Sequence, residues 1–186
     1  MGIMSALNES TARSVMGIDA STQSLAFAVF KDGELVKYGK INFTGNSTYD
    51  RLADSQDKIL ALADDFDVDY IAIEKAIMVR STDTAIKLGM AIGVIIASVL
   101  NKGTEVVEVA PISWQSYIGN NNYTKAKKGE VKRANPGKSD SWIRNEIRER
   151  RKQYTIDYCN KKFKISNDDN DVSDAIGIGW YAVNHL

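Results

Sequence analysis

The alternation of hydrophobic and polar positions divides the chain into the strands and helices of an α/β domain. VMGID (15–19) is a short apolar run ending on an acid, and SLAFAVFK (24–31) is a second strand. Asp32-Gly33 is a two-residue hairpin signal, so ELVKYGKINF (34–43) returns as a third strand. From Thr48 to Phe66 the apolar positions Leu52, Ile59, Leu60, Ala63 and Phe66 follow helical spacing. DYIAIE (69–74) reads as a strand buried on both faces. Ser81 to Lys102 reads as a long apolar helix, capped by Ser81 or Thr82 and closed by Gly103. TEVVEV (104–109) makes a fifth strand, and Pro111 opens a short helix to Tyr117.

The remainder is polar. Residues 119–138, rich in Gly, Asn and Lys, read as a loop. Ser139 or Asp140 starts a basic helix to about Phe163, Asn167 to Asn170 interrupts it, and 171–185 form a last helix. Hairpin-linked strands followed by helix-linked strands imply a five-stranded mixed sheet with helices on both faces. The expected organisation is an extension over 1–14 and one domain over 15–186.

Composition narrows the chemistry. One cysteine, Cys159, excludes an internal disulfide, and one histidine, His185, argues against histidine metal sites and a Ser-His-Asp triad. The apolar run from Leu88 to Leu100 is shorter than the roughly 20 residues of a membrane span, and 1–14 lack the pattern of a secretory signal. A soluble, reducing, intracellular setting is expected: the cytoplasm, or a DNA-containing organelle or virus-infected cell. The formal net charge of zero is a cancellation. Gly119 to Lys152 hold eleven Lys/Arg against four acids, a local +7 that suits a polyanion. Tyr117, Tyr123, Trp142 and Tyr154 lie among these charges, where rings can stack on bases.

Four acids stand at the ends of apolar elements. Asp19 ends the first strand, Glu74 ends the fourth, and Asp171 and Asp174 open the last helix. Singly, such acids are turn residues or helix caps. Together they form a costly set of half-buried carboxylates that hard, oxygen-seeking Mg²⁺ or Mn²⁺ would neutralise. Asp19 and Glu74 could share one ion if their strands are neighbours. Asp171 and Asp174, three apart on one helix face, could serve a second. Two such ions suit phosphodiester hydrolysis.

GIDAST (17–22), IAIEKA (71–76), TAIKLGMAIGV (84–94) and DVSDAIGIGWYAV (171–183) resemble the RuvC family of Holliday-junction resolvases, in the family's order. The resemblance implies a ribonuclease-H-like fold. It also implies a metal-dependent endonuclease that resolves four-way DNA junctions as a homodimer, with Asp19, Glu74, Asp171 and Asp174 as the catalytic, metal-holding acids. The helix from Ser81 to Lys102 matches one that helps form the family's dimer interface. Lys125, Lys127, Lys128 and Lys132 match in kind the lysines that meet DNA near the scissile phosphate, and with Arg133 they are the expected DNA contacts. An aromatic of bacterial members is replaced by Ile77, followed by Met78, so any junction wedge here would be apolar. Two alternatives remain. GIDASTQSLAFAVFKDGELV also resembles the phosphate motif of sugar-kinase and actin-like phosphotransferases, and a non-catalytic junction-binding protein could keep the same fold.

Overall fold

A computed structural model describes residues 13–75, 81–100 and 103–186. The expected extension falls almost wholly outside these residues, as do Ile77 and Met78. Five strands form one sheet: β1 (Ser14–Ala20), β2 (Ser24–Lys31), β3 (Glu34–Asn42), β4 (Tyr70–Glu74) and β5 (Glu105–Val109). Their spatial order is β3-β2-β1-β4-β5. β1–β2 and β2–β3 pair antiparallel, β1–β4 and β4–β5 parallel. Asp32 and Gly33 both take positive φ (51° and 80°), as a tight hairpin between right-twisted strands requires.

The described residues also form six helices: α1 (Thr48–Phe66), α2 (Thr82–Leu100), α3 (Pro111–Tyr117), α4 (Lys125–Ala134), α5 (Asp140–Phe163) and α6 (Asn170–Val183). The sheet separates two cores. On one face Val15, Ala26, Ala28, Phe30 and Ala72 meet Trp114 of α3, Cys159 of α5 and Ile176 and Ile178 of α6. On the other, Met16, Ile18, Leu25, Val29, Ile71 and Ile73 meet Ile59 and Leu62 of α1 and Ile95 and Val99 of α2. Cys159 is a packing side chain: burial pushes its thiol up to about 12, far from a reactive thiolate.

Two expectations need correction. The polar segment 119–138 is not all loop, because α4 forms inside it. The Thr124 side chain accepts from the Lys127 backbone N–H, and Lys, Ala, Glu and Arg sustain the helix despite Gly129. The last helix begins at Asn170, with Asp169 as its cap, so Asp171 lies within the first turn and does not cap it. α2 spans 19 residues and is apolar over most of them, with about a fifth of that stretch buried. By length and composition alone it is long enough to cross a membrane. Its Ala91, Ile95 and Val99 are nevertheless buried, while Ile86 and Leu100 are more than half exposed.

Candidate functional site

Strand pairing decides where the acids lie. Successive residues of a strand face opposite sides of the sheet. Val15 belongs to the core under α6, so Gly17 and Asp19 share that face. On β4, Tyr70 and Ala72 occupy the same side, and Glu74 follows. Ile18 pairs with Ile73 in the parallel ladder, which sets Asp19 and Glu74 side by side at the ends of adjacent strands. This is the neighbour relation the two acids needed.

α6 brings the other pair, and glycine makes its approach possible. A Cβ on Gly17 would fall on the carbonyl oxygen of Ala175 and 2.6 Å from Cα of Gly179. Backbone therefore rests on backbone where α6 crosses β1, and the helix N-terminus carries Asp171 and Asp174 toward Asp19. Asp169 anchors that end: its Oδ1 accepts from the backbone N–H of Asp171 at 2.8 Å and of Val172 at 3.1 Å.

The acids act on one another. Burial first, then the charges of Asp174, Glu74 and Asp171, push the Asp19 carboxyl up to about 8. Asp174 is pushed up to about 7, by burial and then by Glu74 and Asp171. Glu74 is raised by burial, against the opposing hydrogen bond from Trp114. These are carboxylates short of positive charge, and a cation among them would reverse each effect.

Among the described residues, however, no three Asp, Glu, His or Cys side chains converge closely enough to enclose one ion. Two protein partners engage members of the set. Trp114 Nε1 donates to Glu74 Oε1 at 2.9 Å. Lys40 Nζ lies 2.6 Å from Asp171 Oδ2 and 3.2 Å from Asp169 Oδ2. The donor set still fits divalent cations. It is all oxygen, its central members are half-buried and underneutralised, and beside Asp174 the buried Oδ1 of Asn170 has no hydrogen-bond partner among the described residues.

A cleft of about 950 Å³ opens next to Asp174 and Asn170, between α4 and α5. Its walls carry Lys128, Lys132, Arg144, Arg148, Arg151 and Lys152, with Ile143 and Ile147 between them. Of the five cations expected to meet DNA, Lys128 and Lys132 line this groove. Lys127 lines a smaller adjoining cleft of about 330 Å³ with Tyr123, Arg150 and Tyr154. Lys125 and Arg133 line neither cleft. The α5 cations went unassigned in the sequence, although spacings of four, seven and eight place Arg144, Arg148, Arg151 and Lys152 along one helix face. Arg151 is also structural: it donates to Gln115 Oε1 at 2.6 Å and to Asn120 Oδ1 at 3.2 Å.

Comparison with known proteins gives a consistent result. Residues 15–133 match the family profile described as crossover junction endodeoxyribonuclease RuvC. The RuvC of Pseudoalteromonas atlantica is 30% identical over 118 residues, 61% of this chain and 68% of that one. The RuvC of Hahella chejuensis is 32% identical over 116 residues, 60% of this chain and 67% of that one. A third, from Prosthecochloris aestuarii, is matched over little more than half its length, 54%. A solved structure of Thermus thermophilus RuvC in complex with a Holliday junction substrate superposes with a TM-score of 0.68 at 14% identity, covering 92% of both chains. That likeness bears on the fold. The family profile ends before α5 and α6, so Asp171 and Asp174 are brought to Asp19 by the fold and lie outside the matched stretch.

Proposed function

The chain belongs to the RuvC family of crossover junction endodeoxyribonucleases, and from that premise we propose that it cleaves four-way DNA junctions by metal-dependent phosphodiester hydrolysis. The observation that carries the proposal is one juxtaposition: four mutually repelling carboxylates, of which Asp174 lines a groove walled by Lys and Arg. A phosphotransferase of the sugar-kinase type is set aside by the family match.

In this reading Asp19, Glu74, Asp171 and Asp174 hold two Mg²⁺ or Mn²⁺ ions, which when bound supply Lewis acidity toward the phosphate and a more acidic water. The protein's own groups do the positioning. Trp114 fixes the rotation of the Glu74 carboxylate, and the Asp169 cap fixes the backbone that carries Asp171. Lys128, Lys132, Arg144, Arg148 and Lys152 meet backbone phosphates and lead the strand to the acids. Such contacts select shape and charge, with no base edge read. In a gel assay with Mg²⁺, a synthetic four-way junction is nicked in two strands while a linear duplex of the same sequence stays intact, and chelator stops the reaction. Equal cutting of junction and duplex would reject the junction specificity. No cutting of either would reject the enzyme.

Paired nicks require two sites, and the outer face of α2 suits a second copy of the chain. Ala85, Gly89, Gly93 and Ala97 repeat every four residues along it, with exposed Ile86 and Leu100 alongside. A Cβ on Gly89 or Gly93 meets nothing within 4 Å, so a larger side chain is harmless to one protomer but obstructs a close helix pair. Gly93→Leu is expected to shift the protein from dimer to monomer in sedimentation while its melting temperature holds or rises slightly, since leucine favours helix by up to about 1 kcal/mol over glycine. A variant that still sediments as the wild type would remove α2 from the interface.

A further inference from the structure

Lys40 stands out because three strands cooperate to place it. Asp19 pairs with Ala26 across β1 and β2, and Ala26 pairs with Lys40 across β2 and β3. Directly opposed residues project on the same face of a sheet. One row therefore runs Glu74, Asp19, Ala26, Lys40, with a methyl group as its only bulk between the acids and the amine. Neighbouring strands are about 4.8 Å apart, so the Lys40 stem must cross above Ala26 to reach the site. It does so, and its ammonium ends between Asp169 and Asp171.

The two contacts differ in kind. Asp169 is engaged on both oxygens: Oδ1 caps α6 and Oδ2 takes Lys40. It is a fixed tether. Asp171 meets Lys40 through Oδ2 at the shorter distance, and this carboxylate also raises the charge density around Asp19. The ammonium thus sits on one oxygen of Asp171 while a second carboxylate, Asp169, holds it beside the site. Lys152 also acts on Asp174, but from α5, and its ion pair among the described residues is with Glu149.

We propose that Lys40 is a built-in counter-cation of the acidic site, held on Asp169 and Asp171, which a divalent ion must displace from Asp171 to bind there. Lys40 thereby sets a concentration threshold for loading the site. The inference rests on the reading that these acids hold divalent ions, and it adds a competitor within the chain.

The test is Mn²⁺ binding to the DNA-free protein by calorimetry, on the wild type, Lys40→Gln, Lys40→Arg and Asp19→Asn. Glutamine keeps most of the length and the hydrogen-bonding capacity but removes the charge. Lys40→Gln is expected to bind Mn²⁺ roughly three- to tenfold tighter, the range of a partly exposed ion pair beside a divalent charge. Lys40→Arg is expected to bind no tighter than the wild type. Equal or weaker binding by Lys40→Gln overturns the proposal, because a lysine that merely braces Asp171 would weaken binding when lost. A second readout needs no variant: the ¹⁵N ammonium resonance of Lys40 shifts during a Mg²⁺ titration if the ion pair is broken, and stays put if it is not. If Asp19→Asn binds Mn²⁺ as well as the wild type, the ion-binding reading itself fails, an outcome distinct from the failure of Lys40 alone.

Discussion

Asp19→Asn is expected to reduce junction cleavage by at least about a thousandfold, leave junction binding intact, and raise the melting temperature of the ion-free protein at pH 8. All three effects have one cause. Asp19 stands beside Glu74 in the sheet and feels the charges of Asp174, Glu74 and Asp171 together, so it is the oxygen donor common to both pairs of acids. Asparagine keeps the shape and one oxygen but not the charge, and the lost electrostatic stabilisation of ions and transition state is worth several kcal/mol. The DNA contacts proposed above lie elsewhere, on the cations of α4 and α5, so affinity and its steep fall with salt are expected to stay as they were. The stability gain follows from proton linkage. Asp19 has a carboxyl near 3.8 when unfolded and about 8 when folded. Folding therefore favours its protonated form. That contribution is complete below about pH 4 and is lost as pH rises through 8, at about 1.4 kcal/mol for each tenfold difference in proton affinity. At pH 8 without ions the wild type carries the repulsion and the variant does not. Added Mg²⁺ reverses the order, because only the wild type gains binding energy. Retained cleavage, or a variant less stable than the wild type in chelator at pH 8, would remove Asp19 from the centre of the site.

Some of this site was legible before any coordinates, and the limit of legibility has a physical form. Local signals worked: Asp32-Gly33 marked the hairpin, and apolar runs ending on Asp19 and Glu74 marked strand ends. Capping was partly readable, since Ser81 Oγ accepts from Thr84 N–H at the start of α2. Within the run Asp168-Asp169-Asn170-Asp171, however, sequence does not say which residue caps and which points inward. Lys40 was invisible because its proximity to Asp171 is a product of register across three strands, and one slipped residue would turn it to the opposite face. Trp114 read as core, which it is at 1% exposure, yet its indole N–H is the hydrogen bond that orients Glu74. The basic face of α5 was present in the charge count. It became a groove wall only once α4 was seen to fold where the composition suggested loop.

The second large effect is expected at a position with no chemistry at all. Gly17→Val should lower stability by about 3 kcal/mol or more and cut junction cleavage by at least a hundredfold. Valine suits a β-strand, so local propensity favours the change. The obstacle is the helix. The added Cβ would meet the Ala175 carbonyl oxygen and the Gly179 backbone, atoms with no rotamer through which to withdraw. Gly179 cannot move aside either, since the site of its own missing Cβ lies 2.7 Å from the Phe30 ring, itself buried. Overpacking a core costs about 1–3 kcal/mol where side chains can adjust, and more where backbone meets backbone. For a chain of this size that corresponds to a melting temperature lower by roughly 10 °C. The activity loss has a separate origin. α6 carries Asp171 and Asp174 at its N-terminus, so lifting the helix from β1 by about 1 Å pulls two of the four carboxylates from the other two, and misplacement of that order costs about a hundredfold in rate. Gly17→Ala, with a smaller intrusion, should fall between the wild type and Gly17→Val in both melting temperature and cleavage. If Gly17→Val melts and cleaves like the wild type, the close crossing of α6 over β1 is not what assembles the site.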